Sequence, residues 1–130
     1  MIVLDASAAI AWLIQSPAGL RIESRIYARD ETLHAPHLLD LEVTQVLRRL
    51  ATQGVIPGSR IEAALQALFD LRVERYPHLS FLPRIWQLRH NVSAYDAVYI
   101  ALAEELDATL ITRDVRLANA PSHTAHVEVF

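Results

Sequence analysis

Residues 94–112 read AYDAVYIALAEELDATLIT, and this stretch decides the class of fold. Its first part, Ala94 to Leu106, is apolar almost all round in its middle, which is typical of a helix buried on most of its sides. Thr109 to Thr112 follow as a short run that favours a strand. Strands separated by helices pair in parallel through right-handed crossovers. The stretch therefore indicates an α/β fold.

Short strand-favouring runs recur on both sides of this stretch. They are Met1–Leu4, Thr32–Ala35, Leu71–Glu74 and Val127–Phe130. The last run alternates between apolar and polar residues, as an edge strand does. The segments between the runs favour helices. The sequence therefore predicts a three-layer α/β/α sandwich around a central, mostly parallel sheet of about five strands.

Glycine and proline predict where the helices begin and end. Pro17 and Gly19 are expected to break the chain between the first two helices. Pro36 is expected to begin the third helix, because proline favours the first helical turn. Gly54 is expected to end that helix.

The composition predicts a single domain over residues 1–130 and excludes several kinds of site. The chain has no cysteine, which rules out thiol catalysis and metal sites held by thiolates. All 12 basic residues are arginines, and a chain without lysine has neither a P-loop nor Schiff-base chemistry. The glycines at positions 19, 54 and 58 cannot form a G-x-G-x-x-G turn, which excludes the dinucleotide fingerprint.

The distribution of apolar and charged residues predicts a cytoplasmic protein without a membrane span. The longest apolar runs, Ala8 to Ile14 and Ala97 to Ala103, are far shorter than the about 20 residues that a spanning helix needs. The first charged residue is Asp5, whereas a secretory signal begins with basic residues. A formal net charge of −3 argues against a general polyanion-coating protein.

Four acidic residues occupy positions where α/β proteins bind ligands, beyond the carboxyl ends of parallel strands. Asp5 directly follows the first strand, and Asp114 lies two residues beyond the strand that ends at Thr112. Asp96 lies in the first turn of the buried helix, and Glu42 lies near the start of the third helix. A helix amino terminus favours negative charge through its dipole.

Each of these acids also has a purely structural interpretation. Asp5 can cap the first helix, Ser93 and Asp96 fit a capping box, Asp114 can cap a turn over residues 115–118, and Glu42 can be a solvated residue on the flank of its helix.

The third helix offers two acids on the flanks of one apolar stripe. Asp40 flanks this stripe on one side as well as Glu42 does on the other. Periodicity alone does not separate the two residues.

Four short motifs occur in order along the chain. They are Asp5-Ala6-Ser7, Leu41-Glu42-Val43, the run from Tyr95 to Ala103, and the run from Leu110 to Ala118, which contains Thr112-Arg113-Asp114. Together they resemble the PIN domain family, most closely its short single-domain members, the toxin nucleases of VapBC toxin/antitoxin pairs. The resemblance covers essentially the whole chain, and its most specific parts are the Tyr-Asp-Ala and Thr-x-Asp stretches.

The resemblance implies an endoribonuclease that depends on Mg²⁺ or Mn²⁺ and acts as a toxin. The acids that match the catalytic and metal-binding positions are Asp5, Glu42, Asp96 and Asp114. Ser7 and Thr112 match the supporting hydroxyls of the family's motifs. The implied partners are an RNA substrate, a cognate antitoxin whose C-terminal segment presents an arginine to the acidic pocket, and a second copy in a homodimer.

Electrostatics independently favours a cation in such a pocket. Two carboxylates about 5 Å apart at an effective dielectric constant of about 20 repel each other by roughly 3 kcal/mol. Four in one pocket therefore need a cation or shifted protonation. Hard oxygen ligands select Mg²⁺ or Mn²⁺.

The other notable side chains are interpreted as structural or as RNA contacts. No two histidines have metal-ligand spacing, and we interpret all six as surface or loop residues: His34, His37, His78, His90, His123 and His126. Trp12 and Trp86 lie on apolar helical stretches and are interpreted as core or interface residues. The arginines available for RNA are Arg48, Arg49, Arg113 and Arg116, although the pair at 48 and 49 is more typical of a solvated helix face.

Three other functions compete with the nuclease. A haloacid-dehalogenase-type phosphatase needs a second acid two residues after the first, where this chain has Ser7. A response-regulator receiver needs a late lysine, and the chain has none. A PIN-like module that binds RNA or protein without cutting stays open as the alternative.

Overall fold

The computed structural model describes all residues, 1–130, and contains one five-stranded sheet. Its strands are β1 (Ile2–Leu4), β2 (Leu33–Pro36), β3 (Val73–Tyr76), β4 (Thr109–Thr112) and β5 (His126–Val129). The spatial order is β3-β2-β1-β4-β5, and every neighbouring pair is parallel. The predicted α/β/α sandwich around a sheet of about five strands is confirmed, and the sheet is wholly parallel.

Seven helices flank this sheet. They are α1 (Ala6–Leu13), α2 (Pro17–Tyr27), α3 (Leu38–Gln53), α4 (Gly58–Asp70), α5 (Leu82–Gln87), α6 (Ala94–Leu106) and α7 (Val115–Asn119), with a single 3₁₀ turn at Leu79–Phe81. Helix α1 packs against α2 and α3, whereas α6 packs against β1, β2 and β4 and carries α5 on its outer side. No helix is long and apolar enough to cross a membrane.

The hydrophobic core is centred on β1 and α6. All three residues of β1 are fully buried, which explains its unbroken apolar run. Helix α6 buries seven consecutive residues, Ala97 to Ala103, so it is surrounded on all sides in its middle. The predicted bounds of α6 and β4 agree with the structure.

Gly19 does not break the chain, and the prediction that it would is wrong. Helix α2 begins at Pro17, and the side chain of Ser16 accepts a hydrogen bond from the Gly19 amide at 3.1 Å. A Cβ atom on Gly19 would lie 1.9 Å from the carbonyl oxygen of Ala11. The glycine is therefore needed because α1 and α2 approach each other too closely for a side chain.

Pro36 ends β2 instead of beginning α3, so that expectation is also wrong. It pairs with Tyr76 of β3, whereas β1 reaches only as far as His34 along β2. The missing N–H of proline is tolerated because β2 has no partner on its β1 side at this point. Two other predicted boundaries have different outcomes. Strand β3 lies two residues later in the chain than predicted. Gly54 ends α3, as predicted, and has a φ of 64°.

His34 contradicts the interpretation of all histidines as surface or loop residues, because it is buried in β2. Its Nε2 atom lies 2.7 Å from Thr32 Oγ1, and its Nδ1 atom lies 2.8 Å from the hydroxyl of Tyr76. Burial lowers the pKa of His34, which favours the neutral ring. A histidine is tolerated inside a buried strand when both of its ring nitrogens have hydrogen-bond partners, as they have here.

The two tryptophans differ from each other. Trp12 of α1 is buried in the core, as predicted. Trp86 of α5 is 67% exposed, and the Arg89 guanidinium lies 4.7 Å from the centre of its ring.

Candidate active site

One cavity at the carboxyl edge of the sheet is lined by all four acids singled out in the sequence. Asp5 follows β1, Glu42 lies on α3, Asp96 lies in the first turn of α6, and Asp114 caps α7. The cavity has a volume of about 580 Å³. A larger cavity of about 940 Å³ lies around residues 26–33 and 70–74, at the amino ends of β2 and β3, and none of the four acids lines it.

Asp5 is the most firmly held of the four acids, and it also caps α1. Its Oδ1 atom accepts hydrogen bonds from the Ser7 hydroxyl at 2.7 Å and from the Ala8 amide at 2.9 Å. Its Oδ2 atom accepts a short hydrogen bond from the hydroxyl of Thr112. Asp5 is therefore both the cap of α1 and a lining residue of the cavity, so its two interpretations are compatible.

Ser7 and Thr112 link the two turns that carry Asp5 and Asp114. The Ser7 hydroxyl oxygen accepts from the Arg113 amide at 2.8 Å, and the Thr112 hydroxyl oxygen accepts from the Asp114 amide at 2.9 Å. Each hydroxyl thus donates to Asp5 and accepts from the β4–α7 turn. This network fixes the carboxylate of Asp5 relative to the backbone of Asp114.

The structure separates Glu42 from Asp40. Glu42 lines the cavity, and its Oε2 atom accepts a hydrogen bond from the Tyr99 hydroxyl at 2.6 Å. Asp40 lies in a different groove and accepts two hydrogen bonds from the guanidinium of Arg75, at 2.7 and 3.0 Å. Of the two acids on the third helix, only Glu42 is available to a ligand in the cavity.

Asp96 and Asp114 lie at the amino termini of their helices. Ser93 caps α6 and accepts from the Asp96 amide at 3.1 Å, as in half of the expected capping box. Asp114 caps α7, and its two oxygens accept from the Arg116 side chain at 2.8 and 3.1 Å. Arg116 itself is almost fully exposed, so this ion pair lies in water.

The charges in the cavity disfavour one another. Burial raises the pKa values of Asp5, Glu42 and Asp96. The charge of Asp96 raises the pKa values of Asp5 and Glu42 further, and the charge of Asp114 raises that of Asp96. Only Asp114 has a lowered pKa, because of its hydrogen bonds from Arg116. Asp5, Glu42 and Asp96 therefore share the cavity without an ion pair to any basic side chain, whereas Asp114 is paired with Arg116.

The donor set fits a divalent cation such as Mg²⁺ or Mn²⁺, because it consists of carboxylate oxygens with hydroxyls behind them. No three acidic or histidine side chains lie close enough together to hold an ion as they stand. In addition, Arg116 donates a hydrogen bond to each oxygen of Asp114. The carboxylates therefore have the right chemistry for a divalent cation. Their side chains would have to rotate before three of them could bind the same ion.

Sequence reasoning missed two tyrosines of the cavity. Tyr99 lies three residues after Asp96, a spacing that places both on one face of α6 and that was available as a signal. Tyr95 also lines the cavity and is 64% exposed. Of the two neighbouring arginines on α3, Arg49 lines the cavity and Arg48 does not.

Comparison with known proteins identifies close relatives. The family model described as PIN domain matches residues 2–122. Ribonuclease VapC9 of Mycobacterium tuberculosis is 44% identical over 119 residues, which are 92% of this chain and 90% of that protein. Ribonuclease VapC1 of the same organism is 43% identical over 131 residues, with 98% and 96% covered. The structure of VapBC2 from Rickettsia felis, bound to a DNA fragment from their promoter, matches with a TM-score of 0.70 at 14% identity, covering 99% of this chain and 98% of that one.

Proposed function

The chain belongs to the PIN domain family, and we propose that it is an endoribonuclease that depends on Mg²⁺ or Mn²⁺ and acts as the toxin of a toxin/antitoxin pair. The observation that carries this proposal is the acidic cavity: four carboxylates line it, and burial raises the pKa of three. The relatives' names support ribonuclease activity, since VapC9 and VapC1 are both named ribonucleases.

The proposed metal ligands are the four acids of the cavity, Asp5, Glu42, Asp96 and Asp114. A divalent cation at this place supplies Lewis acidity, which makes a water more acidic and offsets charge on a phosphodiester. Ser7 and Thr112 keep Asp5 in place, so its carboxylate is preorganised before any ligand arrives. Arg49 on the cavity wall, together with the exposed Arg113, supplies positive charge for the RNA backbone.

The proposed protein partner is an antitoxin that blocks the cavity. An arginine from such a partner would pair with carboxylates and take the place of the cation. The Arg116–Asp114 pair shows that a guanidinium and a carboxylate meet at this edge. Two apolar residues on the cavity wall, Leu41 and Tyr95, are 71% and 64% exposed, which supports a partner that covers them.

We also propose a homodimer in the cytoplasm. Large apolar side chains are exposed elsewhere on the surface, and Phe69 of α4 is the most exposed of them at 84%. Light scattering of the isolated protein tests the dimer. A monomer at all concentrations, together with a co-purified partner that leaves nuclease activity intact, would contradict both assemblies.

The test of the activity uses protein purified free of any co-expressed partner, with structured and unstructured RNAs and with Mg²⁺, Mn²⁺ or EDTA. We expect internal cleavage with either metal, no cleavage in EDTA, and none by Asp5→Asn. Asp40→Asn is the matched control, because it makes the same change at an acid that pairs with Arg75 outside the cavity. Binding of RNA without cleavage under all conditions would favour the non-cleaving module instead.

A further inference from the structure

Glu42 depends on a single protein group to hold its carboxylate. The Tyr99 hydroxyl donates a hydrogen bond of 2.6 Å to the Oε2 atom, and no other protein atom donates to either oxygen of Glu42. Asp5, by contrast, accepts from three protein donors. One oxygen of Glu42 is therefore fixed by Tyr99, while the other has no protein partner.

Tyr99 is well suited to hold a side chain in place. It is 2% exposed in the middle of α6, so packing on all sides fixes its ring and hydroxyl. A carboxylate oxygen can only accept, so the Tyr99 hydroxyl is the donor in its hydrogen bond to Glu42. Its spacing from Asp96 places both residues on one face of α6, and both line the cavity.

The hydrogen bond opposes forces that would otherwise move Glu42. Asp5 and Asp96 line the same cavity as Glu42, and like charges in one cavity repel each other; a glutamate also has several rotatable bonds that allow it to turn toward water. A buried donor on a neighbouring helix counteracts this repulsion. The contact links α3 to α6 across the cavity, 57 residues apart in the chain.

We propose that Tyr99 is a positioning residue for Glu42: its hydroxyl keeps one carboxylate oxygen inside the cavity and leaves the other for a divalent cation. The inference rests on the proposed function and deepens it. Tyr99 itself touches neither the cation nor RNA in this scheme. Groups behind a metal ligand commonly change metal affinity or activity by about 10- to 100-fold when they are removed.

The test compares Tyr99→Phe with Tyr76→Phe. Both changes remove one hydroxyl and keep the ring, but Tyr76 donates to or accepts from His34, away from the acidic cavity. The readout is the Kd for Mn²⁺, measured by calorimetry without RNA, together with thermal unfolding in EDTA as the control for folding. We expect Tyr99→Phe to weaken Mn²⁺ binding by about 10-fold or more and Tyr76→Phe to leave it unchanged.

A double variant identifies the route of the effect. In a Glu42→Gln background, Tyr99→Phe should weaken Mn²⁺ binding no further, because the hydroxyl acts through Glu42. If Tyr99→Phe fails to fold, Glu42→Asp replaces it, because the shorter side chain keeps the charge and cannot bridge the same distance to Tyr99. That variant should also bind Mn²⁺ more weakly.

Two outcomes overturn the inference, and they are distinguishable. If the native protein binds Mn²⁺ and Tyr99→Phe, or Glu42→Asp in its place, binds it equally tightly, only the role of Tyr99 is wrong. If the native protein binds no Mn²⁺ at all, the proposed function fails and the role of Tyr99 fails with it.

Discussion

The acidic cavity and the Arg25 cluster hold carboxylates in opposite ways. The Arg25 cluster consists of Arg25, Glu31, Glu128 and the amino terminus of the chain. Arg25 Nε donates to Glu128 at 2.9 Å and Arg25 Nη1 donates to Glu31, whose carboxylate also lies 3.6 Å from the amino terminus. Hydrogen bonds from Arg25 lower the pKa of Glu31. Every acid of this cluster has a cation beside it.

The donors to Asp5 and Glu42 in the cavity are neutral, and this is the important difference. Asp5 accepts from two hydroxyls and an amide, and Glu42 accepts from a hydroxyl. Such groups orient a carboxylate without neutralising it, and burial raises the pKa values of both residues. Charge that a fold orients but leaves uncompensated is typical of a site for a ligand, whereas paired charge is typical of a structural contact.

The largest expected effect separates the two acids on α3. Glu42→Gln keeps the shape of the side chain and removes its charge, so RNA cleavage should fall by about 100-fold or more if Glu42 is a ligand. Asp40→Asn, the matched control, should leave cleavage nearly unchanged, because Asp40 pairs with Arg75 outside the cavity. The rates of RNA cleavage by the two variants in Mn²⁺, relative to the native protein, measure both effects. A dead Asp40→Asn with an active Glu42→Gln would mean that the wrong acid is placed in the site.

A smaller effect is expected at the Arg25 cluster, on stability alone. Arg25→Ala leaves Glu31 and Glu128 without their partner, and we expect a loss of about 1.5–3 kcal/mol in the free energy of unfolding, as for hydrogen bonds to charged groups. Arg116→Ala is the control, since its pair with Asp114 is exposed, and we expect no measurable change. Urea unfolding in EDTA compares the two, and equal losses would contradict the distinction between partly buried and exposed pairs.

The smallest effect is a difference in pH dependence. A carboxyl whose folded pKa is raised binds protons more tightly in the folded state, so Asp5, Glu42 and Asp96 stabilise the metal-free protein as pH falls through their raised pKa values. Glu31 has a pKa lowered by its hydrogen bond from Arg25 and acts in the opposite direction, contributing stability above the ordinary pKa of glutamate that is lost as pH falls through the lowered value.

The triple variant Asp5→Asn, Glu42→Gln, Asp96→Asn isolates the contribution of the cavity. In EDTA, the variant should be more stable than the native protein, and its advantage should be larger at neutral pH than at mildly acidic pH. The reason is that the three native acids are charged at neutral pH and become protonated as the pH falls. Chemical unfolding at both pH values measures this. An advantage that grows toward acidic pH would show that the sign of the pKa shifts is wrong.

Patterns within one element predicted most of the fold. The bounds of α6 and β4 follow from a helix that is apolar almost all round and a short β-favouring run, both of which are local features. The sequence pattern does not predict the role of Gly19, because that role depends on the distance between α1 and α2, which no local pattern contains. The burial of His34 is not predicted for the same reason, since its partner Tyr76 belongs to another strand.

In the candidate site, too, local patterns predict some residues, whereas contacts between distant elements determine the others. The ends of strands predicted the positions of Asp5 and Asp114, because ligand sites of parallel sheets lie there. The choice between Glu42 and Asp40 came from family resemblance, and its physical basis is Arg75, which lies 35 residues beyond Asp40. The contact of Tyr99 with Glu42 needs α3 and α6 side by side, and the sequence alone does not supply that arrangement.

The most direct measurement of the central proposal is the free energy of unfolding with Mn²⁺ and with EDTA. A cation that binds only the folded protein at about 100 times its Kd stabilises it by roughly 2.7 kcal/mol. We predict this stabilisation for the native protein and for Asp40→Asn, with a higher Tm in millimolar Mn²⁺, and a much smaller stabilisation for Glu42→Gln, which keeps three of the four acids. The same Tm for the native protein in Mn²⁺ and in EDTA would contradict the proposal that the four acids share a cation.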